Sequence, residues 1–162
     1  MMVDYEAVHE ELQDILDDLT EKNRNAPIIV EGERDVRALR ALGILGEIRP
    51  INRGTTVFAL CEDLARDHRK AIILTDWDVR GGRLARQLRD GLAANAVRYD
   101  DEVRARLTKA CRKEISDVES LDRFVERIAS IVETRERSKP SKRYYAGKVQ
   151  RWGMRRTKRR AP

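Results

Sequence analysis

The residues of this chain that carry chemistry concentrate in two short segments. In residues 71–82, AIILTDWDVRGG, an apolar run is followed at once by Asp76 and Asp78. A short run with two isoleucines has the composition of a strand buried on both faces. Residues two apart in extended backbone project to the same side, so the spacing aims both carboxylates at one cleft beyond the strand's carboxyl end. Such a pair suits a hard cation: Mg²⁺ is commonly held by one or two carboxylates, with water and phosphate oxygens completing its octahedron. Gly81 and Gly82 are expected to turn the backbone into a helix that starts at Arg83, whose free amides can meet a phosphate. Acids in strand-to-helix loops also serve as caps and turn formers, which gives the D-x-D a purely structural alternative.

The second segment is residues 27–35, PIIVEGERD, another short apolar strand ending in an acid and a glycine. Glu31 is expected at the same sheet edge as Asp76, because parallel strands deliver their carboxyl ends to one crevice. The combination of E-G-x-x-D (Glu31, Gly32, Asp35), an isolated glycine at Gly54 and D-x-D-x-x-G (Asp76, Asp78, Gly81) resembles the Toprim domain. That domain occurs in primases, topoisomerases, OLD-type nucleases, RecR-type repair proteins and M5-type ribosomal RNA maturases. The resemblance covers residues 27–121. It implies that Asp76 and Asp78 hold Mg²⁺, with Mn²⁺ as the alternative, and that Glu31 acts as general acid or base. It gives Gly32, Asp35, Gly54 and Gly81 supporting places around the crevice, with Gly54 at its border. The V-E at Val118 and Glu119 resembles the end of M5-type Toprim domains and offers Glu119 as an outer carboxylate. A helix-capping role explains the same acid.

Length and composition narrow the classes. The 162 residues have room for one ordinary domain with extensions. No apolar run is long enough to span a bilayer and the first residues are acidic, so neither membrane helix nor signal peptide is expected and the expected location is cytoplasmic. Cys61 and Cys111 match no C-x-x-C spacing and read as packing thiols. His9 and His68 stand alone in charged surroundings and read as surface residues. The net charge of +6 hides an asymmetry: residues 137–162 hold eleven Lys or Arg and no acid, leaving 23 basic against 28 acidic residues before them. An acidic body with a basic tail points to a polyanionic partner, RNA or DNA.

Alternating strand and helix patterns predict an α/β fold: a Rossmann-like four-stranded parallel sheet with flanking helices and right-handed crossovers. Val8, Leu12, Ile15, Leu16 and Leu19 predict an amphipathic helix over 4–22, packed on the sheet or forming a dimer seam. Further helices are expected to about Leu42, with Gly43 as the stop, and over 56–67, 83–94, 100–112 and 118–133. Strands are expected over 47–51 and 96–99 beside the two apolar runs. The chain then divides into an N-terminal helix (1–26), the Toprim-like domain (27–121), the rest of a C-terminal helix (122–136) and a basic tail (137–162).

In that tail, Lys142, Arg143, Lys148, Arg151, Arg155, Arg156, Lys158, Arg159 and Arg160 interleave with Tyr144, Tyr145 and Trp152. Cations neutralise phosphates while rings stack on exposed bases, so the tail is expected to contact nucleic acid. Among Toprim relatives, topoisomerases carry a third acid where this chain has Arg80, and primases rely on zinc-binding and basic domains that do not fit here. The compact two-aspartate form looks most like the M5-type maturases and small stand-alone Toprim proteins. The resemblance therefore implies Mg²⁺-dependent cleavage of structured RNA or DNA, alone, as a homodimer or within a processing complex. The alternative is a Mg²⁺-assisted nucleic-acid-binding adaptor without turnover.

Overall fold

The computed structural model describes residues 2–51, 54–111 and 114–139. Its elements follow in the order α1 (Tyr5–Asn23), β1 (Ile28–Val30), α2 (Glu33–Ala41), β2 (Ile48–Pro50), α3 (Val57–Asp67), β3 (Lys70–Ile73), α4 (Val79–Ala94), β4 (Arg98–Asp100), α5 (Glu102–Cys111) and α6 (Leu121–Ser138). The strands form one sheet in the order β2-β1-β3-β4, and every pair is parallel. The chain runs outward from β1 to β2, then crosses back to β3 and β4, so the winding reverses between β1 and β3. That reversal opens a crevice at the carboxyl edge of the two central strands, where ligands of doubly wound sheets bind.

Alternation along the strands divides the interior into two layers. Ile28, Val30, Ile72 and Leu74 face a core shared with Leu12, Ile15 and Leu19 of α1, Leu39 of α2, Val103 and Leu107 of α5, and Phe124 and Ile128 of α6. Ile29, Ala71 and Ile73 face the opposite core, built with Leu60 and Leu64 of α3 and Leu88 and Leu92 of α4. Burying each such side chain stabilises the fold by about 1.5–3 kcal/mol, which is why two short central strands with no polar face suffice to anchor both layers. The α1 stripe packs on the sheet layer as one of the two sequence alternatives has it, and residues 5–23 belong to the same core as residues 103–128. Cys61 and Cys111 are buried free thiols, one in each core. Burial pushes them up to about 11 and about 12 respectively, as befits packing residues. His68 is less isolated than its sequence context suggests, with Nε2 2.9 Å from the Glu47 carboxylate.

Four boundaries differ from the sequence expectation. Helix α4 begins at Val79, four residues early, because Asp78 caps it: Asp78 Oδ1 accepts the Gly81 N–H at 2.7 Å. Gly81 and Gly82 therefore lie inside the first turn. Helix α6 begins at Leu121, three residues late, and runs to Ser138, past the 136/137 division drawn from charge. Val118 sits in the turn before it, fully buried. Strand β4 is displaced to Arg98–Asp100 and α5 is trimmed to Glu102–Cys111. The β4 shift follows from the way α4 ends: Ala96 takes a left-handed conformation (φ +56) and Val97 N–H returns to the Leu92 carbonyl. A left-handed L-residue costs roughly 1–2 kcal/mol, so Ala96→Gly should stabilise the fold by about 1 kcal/mol. The check is the urea midpoint, which should rise at an unchanged slope.

Candidate active site: a carboxylate cleft at the switch point

Three elements bring the acids together. β1 ends at Val30 and presents Glu31; β3 is followed by Leu74, Thr75 and Asp76; and the turn before α6 presents Glu119. With Asp35 of α2 they line one cleft of about 560 Å³, whose other walls include Arg34, Arg37 and Arg80. Glu31 and Asp76, distant in sequence, are joined directly: the Asp76 N–H donates to Glu31 Oε1 at 3.2 Å. The Val118 N–H donates to Asp76 Oδ1 at 2.9 Å, and the Gly32 N–H to Asp35 Oδ2 at 3.0 Å. Asp78 is exposed at the start of α4 and does not line the cleft, although its charge is felt by Glu31. The two aspartates are thus placed unequally, Asp76 inside and Asp78 at the rim.

Glu31, Asp76 and Asp78 each have one oxygen occupied by a backbone amide: Glu31 Oε1 by Asp76, Asp76 Oδ1 by Val118 and Asp78 Oδ1 by Gly81. Their second oxygens make no hydrogen bond among the described residues. Backbone donors therefore fix the orientation of each carboxylate and leave one oxygen apiece for something else. Electrostatically the cleft is strained toward neutrality. Burial pushes Asp76 up to about 7, with Glu31, Asp35 and Asp117 adding repulsion against the Val118 amide. Burial likewise raises Glu31 and Asp35, opposed by the amides they accept from. A cation would relieve all three at once.

Sequence inspection missed the residues that build the loop beneath these acids. Thr75 is fully buried, and its hydroxyl donates to the Gly81 carbonyl at 2.8 Å. Arg104, reaching across from α5, donates through Nε to the Thr75 carbonyl and hydroxyl at 3.1 Å and through Nη2 to the Asp76 carbonyl at 2.8 Å. Trp77 N–H and Nε1–H tie the same loop to the carbonyls of Ser116 and Ile115. Gly81 belongs here for a different reason from the one its position suggests: a Cβ on it would meet the Asp76 carbonyl oxygen at 1.8 Å. Close helix-to-loop packing, not a turn, demands this glycine. Gly54 has φ +89 and is a turn glycine that does not line the cleft. Gly32 is extended, with open space around a Cβ, so nothing in this geometry requires it. The tail residues Lys142, Arg143, Tyr144, Tyr145, Lys148, Arg151, Trp152, Arg155, Arg156, Lys158, Arg159 and Arg160 lie outside the described residues.

Hard oxygen donors fit a hard divalent cation. Among the described residues, no three His, Cys, Asp or Glu side chains are gathered tightly enough to make a complete cage. An ion here would depend on water and substrate oxygens for much of its shell, the habit of Mg²⁺ rather than of Zn²⁺.

These features define an α/β protein whose carboxylate cleft lies at the switch point of a four-stranded parallel sheet. The chain belongs to the UPF0292 family. It is 39% identical over 117 residues to the UPF0292 protein of Archaeoglobus fulgidus, a match spanning 72% of this chain and 90% of that one. Over 120 residues it is 38% identical to the UPF0292 protein of Methanosarcina barkeri, spanning 74% and 83%. No family model matches. A solved structure of a protein from Aquifex aeolicus shares the fold, with a TM-score of 0.59 at 25% identity over 67% of this chain and 95% of that one. No helix among the described residues is long and apolar enough to cross a membrane.

Proposed function

We propose that the protein is a Toprim-like, Mg²⁺-dependent nuclease that cleaves phosphodiesters in structured RNA or DNA in the cytoplasm. The observation that carries this reading is the junction of Glu31 and Asp76 at the switch point, each held by a backbone amide with one oxygen to spare. Asp76, with Asp78 at the rim, would hold Mg²⁺ or Mn²⁺. The ion, when bound, neutralises the scissile phosphate and charge developing on its oxygens. Glu31 moves the proton, since its unengaged oxygen lies at the cleft and burial holds its carboxyl above the ordinary range. Arg80, on the cleft wall, adds a fixed positive charge beside the phosphate. Asp35 and Glu119 complete the acidic lining and sharpen selection for a divalent cation. The basic segment 137–162 supplies general affinity for the polyanion.

The decisive experiment incubates the protein with labelled single-stranded, duplex and hairpin RNAs and DNAs in Mg²⁺, Mn²⁺ or EDTA. Cleavage of at least one substrate with metal and none in EDTA is expected. Tight binding with no product under any condition would favour the adaptor instead. A second measurement separates the two jobs open to Asp78. Asparagine caps a helix as well as aspartate does, so Asp78→Asn should leave thermal stability within about 0.5 kcal/mol of wild type. Calorimetric Mg²⁺ affinity should nevertheless fall; if it does not, Asp78 is a cap and nothing more.

A further inference from the structure

Beside the carboxylate cleft lies a second hollow, of about 390 Å³, lined by Arg34, Arg37, Ala38, Glu119, Ser120, Asp122 and Arg123. Arg34, Arg37 and Glu119 line both, so the two hollows are continuous. We propose that this arginine hollow seats a backbone phosphate of the nucleic-acid strand next to the one held at the carboxylate cleft, and so sets the direction in which the strand crosses the site. The proposal deepens the nuclease reading, on which the identity of the neighbouring cleft rests.

The side chains argue for an anion. Arg34 and Arg37 are three apart on α2 and share a face, and Arg123 approaches from the first turn of α6. Some surface guanidinium groups are paired, Arg49 with Asp63, Arg89 with Asp101, and Arg106 with Glu11 and Asp18, whereas others such as Arg83, Arg86 and Arg98 are scattered singly over exposed positions that line neither hollow. Among the described residues Arg34, Arg37 and Arg123 have no such partner. Three converging cations repel one another unless an anion lies between them, and the planar fork of arginine matches two phosphate oxygens at once. The amide end of α6 is already answered by acids, with the Ser120 N–H donating to Asp117 Oδ1 at 2.9 Å and Asp122 in the first turn, so the three guanidinium groups are what the hollow offers an anion. The carboxylates of Glu119 and Asp122 are outnumbered, and Glu119 also faces the cation cleft. The two hollows divide the charge between them: Arg123 lines the first alone, Glu31, Asp76 and Arg80 line the carboxylate cleft alone, and Arg34, Arg37 and Glu119 are shared. A strand lying across both presents one phosphate to the guanidinium groups and the next to the acids through a divalent ion.

The test uses the full chain in EDTA, so that divalent metal contributes to no arm. Anisotropy of short fluorescein-labelled single-stranded RNA and DNA is followed against KCl for wild type and for Arg34→Ala/Arg37→Ala/Arg123→Ala. A charge-matched control carries Arg86→Ala/Arg98→Ala/Lys109→Ala, exposed cations that line neither hollow. Each phosphate neutralised on a single strand contributes roughly 0.7 to the slope of log affinity against log salt, so emptying a hollow that seats one phosphate should cost the first variant about 0.7 and the control almost nothing. A fall with both polymers is expected because the phosphodiester is common to them, and a fall with one alone identifies the strand seated there. Equal slopes in the variant and wild type, or an equal fall in the control, overturn the proposal. Failure of Mg²⁺-dependent cleavage would overturn the nuclease reading and leave this metal-free result standing.

Discussion

Glu31→Gln is expected to lower Mg²⁺-dependent cleavage by about 10²- to 10⁴-fold, the usual consequence of removing a general acid or base. Glutamine keeps the side chain's shape and an oxygen able to accept the Asp76 N–H, now 3.2 Å from Glu31 Oε1. The loop should stay in place while the titrating oxygen is lost. Single-turnover rates with parallel Mg²⁺ calorimetry distinguish two ways for the rate to fall. Loss of rate at unchanged Mg²⁺ affinity assigns Glu31 to proton transfer. Loss that excess Mg²⁺ partly restores assigns it to metal ligation. An unchanged rate would falsify both roles.

Gly81→Ala is expected to destabilise the fold by about 3 kcal/mol or more, at the upper end of what overpacking does. The added methyl would meet the carbonyl oxygen and carbon of Asp76 at 1.8 and 2.4 Å. Both are backbone atoms, so no rotamer change relieves the clash. The start of α4 must swing away, releasing the Asp78 cap and the Thr75 hydroxyl from the Gly81 carbonyl. Gly82→Ala provides the contrast one residue on. Its methyl would meet only the end of Arg104 at 3.9 Å, and alanine is the better helix former by up to about 1 kcal/mol, so that protein should be as stable as wild type or more so. Guanidinium denaturation of both variants measures the difference. Similar stability for the two would show that the start of α4 does not depend on close contact with the Asp76 carbonyl.

What the sequence makes legible here depends on whether a feature is local. Apolar runs at 28–30 and 71–74 mark central strands because burial on both faces leaves no room for polar residues, and their order with the helices yields the parallel sheet. Glu31 and Asp76 could be placed together because parallel strands end at one edge. The D-x-D spacing misled at Asp78. The backbone of that residue is itself extended, but α4 begins at Val79 and takes the Asp78 carboxylate as its cap, which holds it exposed at the rim while Asp76 lines the cleft. Thr75 and Arg104 were invisible because their roles come from contacts 29 residues apart in the chain, or between a hydroxyl and a carbonyl, and no spacing encodes these. Glu119 was legible as an acid near a helix start. Its place at the cleft depends on α6 beginning at Leu121 and on the Val118 amide reaching Asp76. Gly54 illustrates the converse, a glycine required by φ alone that sequence spacing had drawn toward the site.

Trp77 stands between Asp76 and Asp78 with its indole N–H on the Ile115 carbonyl at 2.6 Å. This gives the cleft an intrinsic optical probe. The only other tryptophan in the chain is Trp152, in the basic tail. In a Trp152→Phe protein all indole emission would therefore come from a fluorophore one residue from the carboxylate at the switch point. Cation or strand entry that shifts the 76–78 loop against residues 115–118 would change the polarity and hydrogen bonding around that indole, giving a binding signal in real time with unlabelled protein and unlabelled nucleic acid.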